Sequence, residues 1–334
     1  MTIAIVYDAQ GQQKSLAPLL ASGGEGEVYP LADRSEILVK CYHAEVLKKR
    51  GSDVKNKTKA MIEVKNGFTT QAVSWPLMSV FDERSNWIGY AMRRANGVPM
   101  ARLAHAMAYQ KSFPSLDRSQ ILGYMLSLLL AVQSLHRAGV RVGDYNLNNI
   151  LCTPGTDQIT MIDCDSYQFQ SEKRVYACPV GSPDMTPMEH HGQSFDMIFR
   201  TQESEAFSVA IVLFKCLMLG RHPYDIVGGE DPVTNLRQGR FAYGVGNTGI
   251  PEGAWYNIWS HMPYRIKDMF IGSFTAGAAD PAKRPTLSQW IDSLDLYRRE
   301  IGKGWHDANI RPALPKSNRN NGFCVVNPTH AAVQ

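Results

Sequence analysis

The stretch GVRVGDYNLNNILCTPGTDQITMIDCD, residues 139–165, constrains this chain more than any other. It sets Asp144 five positions before Asn149 and Asp163 fourteen positions after it, with short apolar runs on both sides of a Pro-Gly turn. Asn149 to Thr153 and Gln158 to Ile162 read as two strands joined by Pro154, Gly155, Thr156 and Asp157. A hairpin brings the residues at its open ends side by side, so Asn149 and Asp163 are expected to be neighbours. An amide and a carboxylate offer hard oxygen ligands to magnesium and leave room for phosphate oxygens and water. With Asp144 on the loop entering the first strand, this is the layout that phosphoryl transfer needs. Taken alone, Asp and Asn in a loop-rich stretch are more often turn formers and caps, so the reading depends on signals elsewhere.

The first such signal lies near the N-terminus, where residues 20–29 read LASGGEGEVY and ILVK ends at Lys40 eleven residues later. Gly23, Gly24 and Gly26 let backbone approach phosphates closely, and an inward-facing lysine on the next strand supplies a fixed positive charge. The bland alternative for such glycines is a flexible hairpin tip.

Together these segments resemble a eukaryotic-type protein kinase over residues 15–297 or so. Gly23 and Gly26 match the second and third glycines of the phosphate-covering loop, Ala21 stands where the first is usual, and Val28 matches the residue capping the adenine. Lys40 matches the Val-Ala-Ile-Lys lysine, Asp144 and Asn149 the catalytic loop, and Asp163 the Asp-Phe-Gly aspartate. GSPDMTPME, ending at Glu189, is similar to the Ala-Pro-Glu segment, and Arg284 in DPAKRPT fits the arginine that pairs with that glutamate. Glu205 stands where the family places an aspartate that holds the catalytic loop by its backbone N–H groups. The Gly-Asp loop, IDCDSYQ, SWPLMSVFD and WIGYAM resemble more narrowly a bacterial kinase group of tellurite-resistance-type clusters. Its members are often found beside a von Willebrand A-type protein and a protein phosphatase, and some carry helix-hairpin-helix segments.

The resemblance implies an α+β, bilobal kinase-like fold, with a β-rich N-lobe over residues 1–95, a mainly helical C-lobe over 96–300 and a polar tail over 301–334. It implies ATP and Mg2+ (or Mn2+) as cofactors and a protein substrate. Met92 would be the gatekeeper, with Arg93 and Ala95 presenting backbone groups to adenine. Glu63, in a helix from about Asp53 to Asn66, would pair with Lys40. Ser182, in Gly-Ser-Pro, tilts the substrate hydroxyl toward Ser or Thr.

Departures from the pattern carry expectations of their own. Val142 and Gly143 replace the usual His-Arg, removing the arginine that receives an activation-loop phosphate. Asn146 replaces a lysine two residues after Asp144, so it brings a hydrogen-bond donor but no charge to the γ-phosphate, and slower turnover follows. Cys164 and Asp165 replace Phe and Gly, which removes both a packing residue and a conformationally free position. Two rival readings remain open: a nucleotide-binding pseudokinase scaffold, and a small-molecule phosphotransferase of the aminoglycoside type, which shares the Gly-Asp loop.

Composition suits a single catalytic body: 334 residues, 44% hydrophobic and 20% charged. A net charge of +4 is too mild to imply nucleic acid. The longest apolar runs stop short of the roughly 18 residues that span a bilayer, and no membrane association is expected. The start MTIAIVYDAQGQQ lacks a signal-peptide pattern, and six cysteines show no disulfide rhythm, so a cytoplasmic location is expected. Ile121, Leu122, Met125, Leu128, Leu129, Val132 and Leu135 recur at helical spacing, and Phe207 to Leu219 reads as a helix buried nearly all round. Val227 to Trp259 reads as loops. Cys324 and His330 in the tail are too few for a zinc site.

Overall fold

A computed structural model describes residues 4–64, 71–171, 174–244 and 249–316. It has two lobes, and the α+β class expected from the sequence is the one observed. The small lobe is a seven-stranded sheet made of β1 (Ile5–Tyr7), β2 (Gln13–Ser15), β3 (Ala21–Ser22), β4 (Gly26–Pro30), β5 (Ile37–Tyr42), β6 (Pro76–Phe81) and β7 (Trp87–Arg93), with helix α1 (Ala44–Val64) between β5 and β6. The strand order is β2-β1-β6-β7-β5-β4-β3, with every pair antiparallel.

Alternation along β5 sorts the core. Val39 and Cys41 bury against Val6, Tyr29, Val80 and Ala91 on one face. Leu38 and Tyr42 bury on the other, with Trp87, Tyr90 and Met92, under Val46, Leu47 and Val54 of α1. Lys40 therefore shares the α1 face. The helix starts nine residues before the expected Asp53 and breaks its helical geometry at Arg50 (φ −144°), next to Gly51; the part beyond this kink is the predicted segment, whose Asn66 end lies outside the described residues.

The large lobe is built on α4 (Arg118–Arg137), reached through β8 (Val98–Pro99), α2 (Met100–Leu103) and α3 (Ala108–Ser112). Asp117 caps α4 by accepting the Gln120 N–H at 2.7 Å. All seven residues of the predicted α4 stripe are at most 1% exposed, and burial of each Leu, Ile or Val contributes about 1.5–3 kcal/mol relative to exposure. After α4 come β9 (Val140–Arg141), then the predicted hairpin as β10 (Ile150–Cys152) and β11 (Ile159–Met161), then β12 (Gln168–Gln170) and β13 (Val175–Tyr176).

Helix α5 (Gln202–Leu217) opens on a reciprocal Thr201/Ser204 capping box and is buried nearly all round, as its apolar sequence requires. The region read as loops holds α6 (Pro232–Arg237), started by an Asp231 cap and Pro232, and leads into α7 (Trp255–His261). Its Phe241 and Tyr243 pack on Phe214 of α5, the latter at 5.2 Å between ring centroids, so aromatic burial orders a glycine-rich stretch. Then α8 (Tyr264–Phe274), α9 (Ala276–Ala279) and α10 (Leu287–Gly302) follow, α10 lying along α4.

The chain does not leave the lobe at 301. Arg118, 1% exposed, donates to the carbonyls of Asn309 and Ile310 at 3.1 and 3.2 Å, and Asn257 donates to that of Ala313 at 2.9 Å. Cys324 and His330 lie outside the described residues. No described helix is long and apolar enough to cross a membrane.

Candidate active site

The hairpin positions two of the candidates. Ile162 N–H bonds to Asn149 C=O at 2.9 Å, which zips the open end of β10 and β11 and sets Asn149 beside Asp163. Asp163 then takes a left-handed conformation, φ +61°, and turns the chain into a single 3-10 turn, Cys164–Ser166. Its side chain is 54% exposed.

Lys40 reaches the same point from the small lobe. Its Nζ lies 2.9 Å from Asp163 Oδ1 and 2.8 Å from Asp165 Oδ2. Asp165 is buried and also accepts from Tyr90 Oη at 3.0 Å and from Tyr42 Oη. Burial alone would lower the proton affinity of Lys40, but the two carboxylates more than offset this and hold it above the ordinary lysine range. Burial likewise disfavours the Asp165 charge, and Lys40 with the two tyrosine hydroxyls outweighs it and holds the carboxyl below its usual range.

The expected Lys40–Glu63 pair is not formed. Glu63 is exposed on α1, as is Glu45, and the inward face of that helix carries Lys57. Lys57 is 9% exposed, donates to the Ala177 carbonyl at 3.2 Å, and is pushed down by burial to about 8.

The three loop glycines serve different ends. A Cβ on Gly26 would lie 2.3 Å from the Cys41 carbonyl oxygen, so close pairing of β4 and β5 demands glycine there. A Cβ on Gly23 would meet only the Gly26 carbonyl oxygen, at an ordinary 3.9 Å, and one on Gly24 would meet nothing, so the tip is bare. The tip is tied down by Glu25, paired with Arg50, and by the Gly23 carbonyl, 2.9 Å from His43 Nε2. Val28, opposite Lys40 in register, packs against the cluster containing Met92. In the hinge, Arg93 C=O accepts from Ser74 Oγ at 2.6 Å and Arg94 N–H donates to Glu36 C=O at 2.8 Å, whereas Ala95 has no backbone partner among the described residues.

The catalytic-loop candidates are held from below. Glu205, 2% exposed at the start of α5, accepts Gly143 N–H at 2.6 Å and Tyr145 Oη at 3.0 Å, and lies 2.7 Å from His136 Nε2. The longer side chain thus reaches the backbone N–H expected of an aspartate. Asp144 Oδ1 is buried without a protein partner among the described residues. Burial raises the Asp144 carboxyl, Arg200 opposes this, and the charges of Asp163 and Asp184 add to it. Asn146 Oδ1 accepts Asn148 N–H at 2.9 Å and caps the following turn.

Arg200 was not anticipated. Its Nη1 and Nη2 donate to the carbonyls of Cys178 and Val180 at 2.9 and 3.0 Å, while Gln168 exchanges two bonds with its backbone. Gly143, at φ +76°, makes this possible: a Cβ there would stand 2.9 Å from Arg200 Nε and 2.7 Å from Cys178 Sγ. The Arg200 side chain thus fills the space beside position 143, and its guanidinium binds backbone carbonyls. Further along, Arg284 holds Glu189 bidentately at 2.6 and 2.8 Å, the pairing expected from the sequence. A cavity of 370 Å³ bordered by Arg141, Gln168, Phe199 and Arg200 contains none of the predicted site residues.

Of the residues missed, Tyr42 and Tyr90 were readable. Lys40 and Tyr42 share a face by period-two alternation, and Tyr90 lies opposite Lys40 in register. Asp165 carried a weaker signal, an Asp where the pattern has glycine. Arg200 carried none.

No protein-family model matches the chain. Over 311 residues, 89% of its length, the chain is 28% identical to protein kinase YegI of Escherichia coli O157:H7 and 27% identical to the protein of the same name in strain K12. The chain spans about half the length of these curated relatives, 47% of each. With the fold, this similarity supports a bacterial protein-kinase-like protein.

Proposed function

We propose that the chain is an ATP- and Mg2+-dependent (or Mn2+-dependent) protein kinase, directed at Ser or Thr hydroxyls, working in a cytoplasmic bacterial signalling system. Support comes chiefly from one convergence. Lys40 Nζ lies 2.9 Å from Asp163 across 123 positions of sequence, at the hairpin end that also carries Asn149. The curated relatives that bear the kinase name add to it.

Asn149 and Asp163 would hold magnesium, whose charge, when bound, offsets that of the phosphates. An amide and a largely exposed carboxylate are donors of the right chemistry. Lys40 would hold the α and β phosphates beneath Gly23, Gly24 and Gly26. Asp144, with one carboxylate oxygen unengaged and its proton affinity raised by burial, would orient the substrate hydroxyl and accept its proton. The Asn146 oxygen is occupied by its turn, which leaves the amide nitrogen to donate to the γ-phosphate. Met92, Val28 and the backbone at Arg93 and Ala95 would enclose adenine. Ser182 keeps the preference for Ser or Thr. A von Willebrand A-type protein and a protein phosphatase belong to this proposal as partners.

Purified protein incubated with labelled ATP and Mg2+ or Mn2+, alone and with a generic basic protein, is expected to give labelled protein. Lys40→Ala and Asp163→Ala should each reduce labelling by about 1,000-fold or more while remaining folded, because little but positioned charge drives this reaction. Near wild-type transfer by either variant overturns the proposal. ATP binding without transfer by wild-type would mark a pseudokinase scaffold, and label on a small aminoalcohol would mark the aminoglycoside type.

A further inference from the structure

We infer that Asp165 is the residue that positions Lys40 for the nucleotide, in place of a glutamate from α1; this rests on the kinase reading above. Lys40 Nζ contacts both Asp165 oxygens, at 3.1 and 2.8 Å, and the carboxylate also accepts from the hydroxyls of Tyr42 and Tyr90. An ionised carboxylate offers about four acceptor sites, and these four contacts engage them. The two strands that carry the donors are adjacent, Lys40 facing Tyr90 in register and Tyr42 two residues along the same face. Nothing on α1 competes for the role, since Glu45 and Glu63 are exposed and the buried polar residues are Lys57 and Thr58.

The arrangement divides labour within one short turn. Asp165 is 8% exposed and locked, so it holds the ammonium in place; Asp163 is exposed and contacts Lys40 through one oxygen, so it is free to turn toward a ligand. Lys40 is thereby positioned by the loop that carries the metal-ligand candidate, and no carboxylate of α1 takes part. The helix is also joined to the segment after β13, through Lys57 and the Ala177 carbonyl.

The test is a double-variant cycle read on binding of a fluorescent ATP analogue in the presence of EDTA, with phosphate transfer measured in parallel. Asp165→Asn is expected to melt cooperatively, to bind the analogue about 10-fold more weakly and to lower kcat about 100-fold, as misplacing a positioning group does. In a Lys40→Ala background the same change should weaken binding no further, because it acts through the lysine. Glu63→Gln should match wild-type in binding and transfer. Wild-type binding by Asp165→Asn, an equal loss in the Lys40→Ala background, or an equal loss in Glu63→Gln overturns the inference. If Asp165→Asn does not fold, Tyr42→Phe, which keeps every charge, is read in the same cycle with a few-fold loss expected and none overturning the inference. Wild-type transfer by Lys40→Ala would instead sink the kinase reading itself, so the two failures are distinguishable.

Discussion

Two buried carboxylates anchor the two halves of the candidate site, and they are satisfied in different ways. Asp165 holds Lys40 in the small lobe with one ammonium and two tyrosine hydroxyls. Glu205 holds the catalytic loop in the large lobe with a backbone N–H, one tyrosine hydroxyl and a histidine. The first pairs with a fixed cation, whereas the second has a histidine, His136, at ion-pair distance and no Lys or Arg there among the described residues. A buried carboxylate that lacks a fixed cation beside it leans more heavily on its hydrogen bonds. The large-lobe anchor should therefore be the more sensitive to the loss of any one donor, and the small-lobe anchor the more sensitive to the loss of charge.

Removing Glu205 gives the largest effect. Glu205→Ala strips Gly143 N–H, Tyr145 and His136 of their shared acceptor inside a fully buried site, and stability should fall by about 3–5 kcal/mol. Chemical denaturation measures this, and transfer should be lost with it because Asp144 follows Gly143 directly. A fall below 1 kcal/mol would show that the loop is held by something other than this carboxylate.

The second effect depends on pH and concerns another large-lobe tie. His222, 5% exposed, has Nε2 2.8 Å from the Asp184 carbonyl, and its Nδ1 accepts Tyr224 N–H. Burial, the main cause, lowers it from an ordinary 6.5 to about 4. Below pH 6.5 the unfolded chain takes up a proton that the folded protein refuses until about pH 4. Its contribution is thus fully present above pH 6.5 and declines toward pH 4, with a limiting slope of about 1.4 kcal/mol per pH unit. A His222→Gln variant should lack that slope. Parallel curves for the two proteins would place the buried proton balance elsewhere.

How far the sequence reveals these anchors follows from the kind of signal each leaves. The hairpin was legible because a Pro-Gly turn sits between two apolar runs, and α4 because seven apolar residues keep a helical period. Glu205 and the Glu189–Arg284 pair were legible because each occupies the slot its role requires. Asp165 shows in the sequence only as a lost glycine. A residue in a new role shows itself by what surrounds it, here two tyrosines from other strands, and sequence order does not display that. Arg200 illustrates the same limit, since its place depends on the hollow left by Gly143, 57 positions away. The ordered stretch after residue 301 escaped because polar residues hold it through backbone carbonyls, which leave no pattern in side chains.

The smallest effect offers the sharpest test of the contrast, because the two anchors contain matched tyrosines. Tyr90 and Tyr145 are 0% and 1% exposed, and each donates to its carboxylate at 3.0 Å. Tyrosine to phenylalanine removes one hydroxyl and leaves the packing nearly intact, so each substitution reports one charge-assisted bond, ordinarily about 1.5–3 kcal/mol. At Asp165 the ammonium remains, and it takes up part of the loss; Tyr90→Phe should cost about 1 kcal/mol. At Glu205 only a histidine and one N–H remain, and Tyr145→Phe should cost about 2 kcal/mol. Denaturant melts of the two variants under one condition settle the ordering. Equal losses would mean that the Lys40 charge is not what stabilises Asp165, and a reversed order would mean that the His136 contact holds Glu205 more firmly than Lys40 holds Asp165.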